Sequence, residues 1–475
     1  MNFIAIELER ANKPMKSIRQ HPFIRIAPSL LICAAAWLLN AERLSAQSPP
    51  ESPGSSPRAS AIREDGDRLR WWNEARFGMF IHWNPVSLKG TEIGLSRGDQ
   101  VPAGEYDNLY KQFNPTEFNA GEWMKLARAA GMKYVVFTTK HHDGFCMWGT
   151  KYTDYNVLRS PFGRDVTKEL AAACRKHGLV FGAYHSISDW WHPDYPLGSP
   201  RGKSQKPAPD MDRYNQYLKN QLAEIVQNYG PLGVLWFDGE WEKPWTAERG
   251  ADLYAYLRRL QPSLIINNRV SKARAGMAGT SAPGQFAGDY DTPEQRIGKY
   301  QDDRPWETCM TLCEQWAWKP DDELKSLAQC LQMLVNCVGG DGNLLLNVGP
   351  TATGEIEPRQ AWRLKEIGAW LDHYGESIYA TRGGPWKPSQ SVASTRKGNA
   401  IYLHVLRWSG ETITLPAISR KITGSRVLTG GNATVEQTNA GVTIGVPAAY
   451  QQEIDTIIKL TLDGPSMDIA PITVP

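Results

Sequence analysis

The chain has 475 residues, 41% of them hydrophobic and 22% charged, with a formal net charge of +3, which is the ordinary balance of a soluble globular protein long enough for one large domain and a smaller companion. Residues 1–46 carry six basic and three acidic side chains, so without them the charge is zero and nothing electrostatic points to a nucleic-acid partner. Their loss also leaves six of the seven cysteines, none in a CxxC or finger spacing, so no zinc site is expected and the pairing stays open.

Within residues 1–46 the apolar run Ala27 to Leu39 follows Lys16, Arg19 and Arg25 and precedes Leu44-Ser45-Ala46, the pattern of an export signal cut after Ala46. The run is short for a bilayer span, so no stable membrane insertion is expected after cleavage. Residues 47–66, rich in Ser and Pro without periodicity, read as a flexible leader. From Asp67 the chain repeats apolar strand, polar loop and amphipathic helix. Strands are expected at Phe77–Trp83, Tyr134–Lys140, Val180–Ser186, Gly233–Phe237 and Leu264–Asn268, with helices at 118–130, 166–177, 211–229 and 247–260. Gly288–Thr292 and Trp306–Thr311 read as strands six and seven without a clear helix between them. A helix over 322–338, a strand over Gly342–Val348 and a helix over 357–374 complete the pattern. Eight strands imply an α/β fold, a (β/α)8-like barrel over 67–382. Beyond Arg382 the short segments 401–406, 411–415, 425–428, 433–437, 441–446 and 456–462, rich in β-branched residues, read as a C-terminal antiparallel β-sandwich over 383–475 that supports the barrel.

In such a barrel the C-terminal strand ends converge on one pocket. They deliver His82-Trp83, His141-His142-Asp143, Tyr184-His185, Trp236 and Asp238, Asn268-Arg269, Thr292-Pro293-Glu294 and Trp306-Glu307, so four of the nine histidines sit at three ends. Each has a plain structural use: Asp238 can cap the turn made by Gly239, and a lone histidine commonly only holds a backbone. His141 and His142, adjacent on a strand, would point to opposite sides and not share one ion. Together, imidazoles for hydroxyls and Trp faces for C–H surfaces fit a sugar pocket. The 18 Trp and 18 Tyr agree with it. Two carboxylates there imply glycoside hydrolysis: Asp238, fixed by a buried strand, as nucleophile, and Glu294, Glu307, Glu92 or Glu240 as acid/base.

The stretches Phe77-Gly-Met-Phe-Ile-His-Trp83, Lys140-His-His-Asp-Gly-Phe145, Leu235-Trp-Phe-Asp-Gly-Glu240, Trp306-Glu-Thr-Cys-Met-Thr311 and Asn343-Leu-Leu-Leu-Asn-Val-Gly-Pro350, in this order, resemble glycoside hydrolase family 29, the α-L-fucosidases. The resemblance covers about Asp67 to Arg382. It implies a retaining exo-hydrolase of terminal α-L-fucose on a fucosylated glycan, without metal or organic cofactor, with Asp238 as nucleophile. Glu294, in Thr-Pro-Glu-Gln, is the implied acid/base, with Glu307 and then Glu92 as alternatives. His82, Trp83, His141, His142, His185, Trp236, Arg269 and Trp316 would hold the sugar. Two departures stand out: Asn84 where the family often has Gly after His-Trp, and His185 where it often has Tyr-Tyr-Ser. A related exo-glycosidase, for instance one for α-L-galactosides, and a sugar-binding protein on the same scaffold fit the same residues.

Overall fold

The computed structural model describes residues 68–475; the expected export signal and leader lie outside the described residues. Seven parallel strands form the main sheet: β1 (Phe77–Ile81), β2 (Tyr134–Lys140), β3 (Val180–Ser186), β4 (Val234–Asp238), β5 (Ile265–Ile266), β6 (Glu307–Thr311) and β7 (Asn343–Val348). They run in the order β5-β4-β3-β2-β1-β7-β6. Residues alternate between two buried faces. One face, with Phe77, Met79, Val135, Phe181, Leu235 and Leu346, packs on the helices. The other, with Phe80, Tyr134, Val136, Tyr184, Trp236 and Leu345, fills the barrel interior. A helix through residues 68–75, not foreseen from the sequence, adds Trp72 to that interior layer.

Helices Ala120–Ala129, Val166–Lys176, Met211–Tyr229 and Ala247–Leu260 start on the side-chain caps Asn119, Asp165, Asp210 and Thr246, which satisfy backbone N–H groups that the first turn leaves open. The next helix starts at Leu327 rather than 322, because Ser326 and Gln329 close a capping box there. Helix Pro358–Tyr374 follows β7.

The sixth expected strand does not form. Gly288–Thr292 makes only isolated parallel bridges, Asn267 with Tyr290 on one side and Asp291 with Trp306 on the other. Backbone bonds from Asn268 N to the Tyr290 carbonyl (2.9 Å) and from Glu307 N to the Asp291 carbonyl (2.9 Å) still lay this segment between β5 and β6. Tyr290 joins the interior cluster, so an irregular stave stands where an eighth strand would. With no long helix between β5 and β6, nothing obliges that stave to stay straight.

The C-terminal segments form antiparallel sheets. One has the order β12-β15-β10-β9-β8 and the other β11-β14-β13, where β8 is Arg382–Gly383, β9 Val392–Lys397, β10 Ala400–Val405, β11 Thr412–Leu415, β12 Ile422–Val427, β13 Thr434–Gln437, β14 Val442–Gly445 and β15 Thr456–Leu462. Leu403 and Val405 meet Leu415 and Ile444 in a common core, as a sandwich requires. Strands β8 and β9 escape a sequence reading: the first is two residues long, and four of the six residues of Val392–Lys397 are polar although only its last residue is exposed. The six described cysteines are buried and free. Among the described residues no helix is long and apolar enough to cross a membrane.

One buried ion cluster joins these layers. Arg76, just before β1, donates from Nη2 to Asp341 Oδ1 (2.6 Å), from Nη1 to the Asp341 carbonyl (3.1 Å) and from Nε to the Thr381 carbonyl (3.1 Å), while Arg382 also pairs with Asp341. Burial pushes the Asp341 carboxyl up, but Arg382 and Arg76 outweigh it and hold it below the usual carboxylate range. A folded-state value below the unfolded one stabilises the fold above the unfolded value, and that contribution is lost as the pH falls. Asp341→Ala is therefore expected to cost about 3–5 kcal/mol near neutrality, because it strands a buried guanidinium. In urea melts its deficit against the parent protein should shrink on acidification; a pH-independent deficit would show that the ion pair is not its cause.

Candidate functional site

All seven strands end at one rim, and the alternation described above decides which side chains reach it. In the β3–β4 register Tyr184 lies beside Trp236 and Ser186 beside Asp238. Tyr184, Trp236 and Asp238 share a face and open into a cavity of about 320 Å³, together with Phe80 and His82 from the first strand and its end. His141, His142, Arg269, Glu294, Trp316 and, from the loop after β1, Glu92 also line its wall.

At its base a single guanidinium holds two carboxylates. Arg269, on the turn after β5, donates from Nη1 to Asp238 Oδ1 (2.7 Å) and from Nη2 to Glu294 Oε2 (2.8 Å). Its Nε donates to Thr292 Oγ1 (3.0 Å), and its plane lies 4.4 Å above the Trp236 ring, so it is fixed on every side. Tyr184 Oη donates to Asp238 Oδ2 (3.0 Å), and His142 Nε2 lies 3.5 Å from the same oxygen. Burial alone would raise the Asp238 carboxyl, but Arg269, His142 and Arg274 together hold it below the usual range, so it is ionised. Burial and the Asp238 charge push the Tyr184 hydroxyl well up, and it remains a donor. Gly239, at φ +90°, makes the turn after β4, where a Cβ would strike Ser188. The glycine thus serves the turn while Asp238 faces the cavity.

Two of the cavity histidines, His82 and His141, act as neutral groups. Burial drives His82 down to about 3. Because Asn347 Nδ2 donates to the Trp316 carbonyl (2.8 Å), Asn347 Oδ1 accepts from His82 Nδ1 (2.6 Å), which leaves His82 Nε2 as an acceptor. Burial also lowers His141 well below its ordinary value; its ring stacks on Tyr184 (5.3 Å, 8°) and its Nδ1 has no partner. His141 and His142 do not point apart as expected of strand neighbours. The β2–β3 register slips between Thr138 and Lys140 and the strand ends at Lys140, so both rings turn into the cavity, 4.2 Å apart. Among the described residues no group of three or more His, Cys, Asp or Glu is arranged to hold a metal ion.

Four of the expected residues lie elsewhere. Trp83, next to inward-facing His82, points outward, packs on Phe118 and donates from Nε1 to the Thr351 carbonyl (2.9 Å). His185 likewise faces out, with Nδ1 3.1 Å from Thr139 Oγ1 and its ring beside Trp148; neighbouring Tyr184 takes the inward place. Glu307 sits below the cavity floor in the barrel interior, where the Tyr134 hydroxyl and Trp236 Nε1 (3.2 Å) donate to it. Burial pushes its carboxyl up to about 7. Glu240, buried against Arg274 Nε (2.6 Å), does not line the cavity either. Glu92 does, but both its oxygens accept backbone N–H groups, Oε1 from Ile93 (3.0 Å) and Ala317 (3.2 Å) and Oε2 from Trp316 (3.0 Å). Burial raises its carboxyl. Strand parity would have found Tyr184, since it lies two residues before the partner of Asp238; Arg274 and Trp241, also at the cavity, sit in loops that carry no such signal.

Residues 51–376 match the alpha-L-fucosidase family. The tissue alpha-L-fucosidase of Homo sapiens is 32% identical over 368 residues, spanning 71% of this chain and 75% of the human protein. That of Bos taurus is 31% identical over 416 residues, 80% of this chain and 84% of its own. Alpha-L-fucosidase isoenzyme 1 from Paenibacillus thiaminolyticus superposes with a TM-score of 0.75 at 35% identity, over 84% of this chain and 100% of that one. A GH29 alpha-L-fucosidase from Bacteroides thetaiotaomicron, crystallised as a trapped covalent intermediate with 2-fluoro-fucosyl fluoride, superposes with a TM-score of 0.75 at 29% identity, over 84% and 96%.

Replacing Arg269 removes the largest of the charges that depress Asp238 and leaves burial opposed only by His142 and Arg274. Arg269→Met is expected to lower kcat/KM by about 10²-fold or more. The acid limb of its pH profile should move to higher pH, because Asp238 then protonates more easily. An acid limb that stays in place would mean that Asp238 is not the group titrating there.

Proposed function

Because the chain belongs to the alpha-L-fucosidase family of glycoside hydrolases, we propose that it is an exported enzyme that removes terminal α-L-fucose from glycans by double displacement. Asp238 attacks the anomeric carbon and Glu294 protonates the departing oxygen; Glu294 then takes a proton from the water that cleaves the glycosyl ester. The observation that carries this reading is the shared Arg269. It keeps Asp238 ionised, as a nucleophile must be, and ties Glu294 to the same group, close by, as a retaining pair standing roughly 5 Å apart requires. Glu294 suits the acid/base role better than its rivals. Only Oε2 is bonded to Arg269, so Oε1 is open to a substrate, whereas the oxygens of Glu92 are occupied and Glu307 is under the floor.

Fucose is favoured over its 6-hydroxylated relative by the apolar walls Phe80, Trp236 and Trp316, which would leave an added hydroxyl without a partner. His82 Nε2 and the His141 ring can bond the remaining hydroxyls. The bovine and human relatives, like the superposed bacterial enzymes, carry the name alpha-L-fucosidase.

Incubation with 2-fluoro-fucosyl fluoride followed by peptide mapping should recover the label on Asp238. Asp238→Ala should abolish turnover with the fold intact, while Glu294→Ala should slow poor leaving groups far more than good ones. A label elsewhere, or equal losses for both kinds of leaving group, would overturn the assignment. A fold that binds fucose without hydrolysing it at any pH would make the protein a lectin-like binder. Export is checked on the mature protein, whose N-terminus is expected at Gln47 and whose activity should fractionate outside the cytoplasm.

A further inference from the structure

The mouth of the cavity is edged by large apolar side chains left half open to water. Trp241 is 49% exposed, Leu95 47% and Met277 49%, and they come from three separate loops, after β4, after β1 and after β5. Isolated exposed apolar residues need no explanation, but a collar of three around one opening does.

Trp241 is also the tip of an otherwise immobilised loop. Before it, Glu240 is buried and held by Arg274 Nε (2.6 Å). After it, Glu242 accepts from Ser188 Oγ (2.7 Å) and Trp190 Nε1 (3.0 Å). Lys272 Nζ donates to the carbonyls of both, Glu240 (2.6 Å) and Glu242 (2.8 Å). The indole meets the His142 ring edge-on at 5.3 Å and has the Arg274 guanidinium 5.9 Å from its centre. A rigid backbone that presents an open aromatic face three residues beyond Asp238 is a preorganised surface, with little rotamer freedom left to lose on binding. Arg274 bonds through Nε and Nη1 only, which leaves Nη2 as a spare donor beside that face. A cavity of about 320 Å³ lies at the low end of the roughly 300–1,000 Å³ of small-molecule sites. The collar residues line the outer part of this same cavity, so with a sugar seated at Asp238 whatever that sugar is attached to must pass the collar.

We propose that Trp241 is the platform of a leaving-group subsite: it stacks on the C–H face of the sugar to which the fucose is joined, while Arg274 Nη2 donates to one of that sugar's hydroxyls. This rests on the fucosidase reading and narrows it to substrates whose leaving group is itself a pyranose, in preference to aglycones without a stacking face. The collar thus selects the glycan, and the cavity below selects the fucose.

The test compares α-L-fucosyl fluoride, whose leaving group cannot stack, with an α-L-fucosyl disaccharide. In Trp241→Ala, kcat/KM for the disaccharide should fall roughly five- to tenfold further than for the fluoride, the size expected of one lost aromatic contact. Trp241→Phe should restore most of the difference. Parallel losses on both substrates, or no selective loss, would overturn the subsite. If the parent protein hydrolyses neither compound, the fucosidase reading fails first and the subsite falls with it.

Discussion

A buried guanidinium that must satisfy two carboxylates at once is the constraint on which the site depends. Arg269 reaches Asp238 and Glu294 only because it is pinned by Thr292 and stacked on Trp236, and Trp236 is itself held from below by Glu307. The chain from Glu307 through Trp236 to Arg269 and Asp238 runs from the barrel interior to the cavity. A charge buried this deeply is tolerable only when paired, so each member fixes the next. Ionisation of Asp238 is therefore a property of the whole stack rather than of one residue.

The outline of the fold was legible where apolar periodicity was strong. The expected strands Tyr134–Lys140 and Val180–Ser186 and the helix over 211–229 form at the expected bounds, because buried parallel strands and long amphipathic helices each impose their own spacing. Reading weakened after β5, where isolated bridges replace a strand and no long helix restores the rhythm. The short β8 and the mostly polar β9 fail for the same reason: pairing with a neighbouring strand, rather than their own apolar pattern, makes them strands.

At the site, motif recognition found the positions but not their directions. His82-Trp83 and Tyr184-His185 are adjacent pairs of which one member each enters the cavity, and parity along the strand decides which. Applied consistently, the same rule would have exchanged His185 for Tyr184 and removed Trp83. It would not have foreseen His141 and His142 side by side, since the register slip that allows this leaves no mark in the composition. Nor could spacing show that Glu307, inside a convincing motif, lies one layer too deep. Only the packing of Tyr134, Trp236 and Tyr290 around it reveals that depth.

The irregular stave between β5 and β6 has a further consequence. Asp238 is mounted on a paired strand, and shifting it by one residue would turn it out of the barrel. Glu294 is carried by a stretch with only single bridges to its neighbours, which insertion or deletion could lengthen or shorten without dismantling the cylinder. Evolution thus has a fixed anvil and a movable hammer here. Among proteins sharing this architecture, the group proposed as nucleophile should keep one address in the chain while the proposed proton donor wanders.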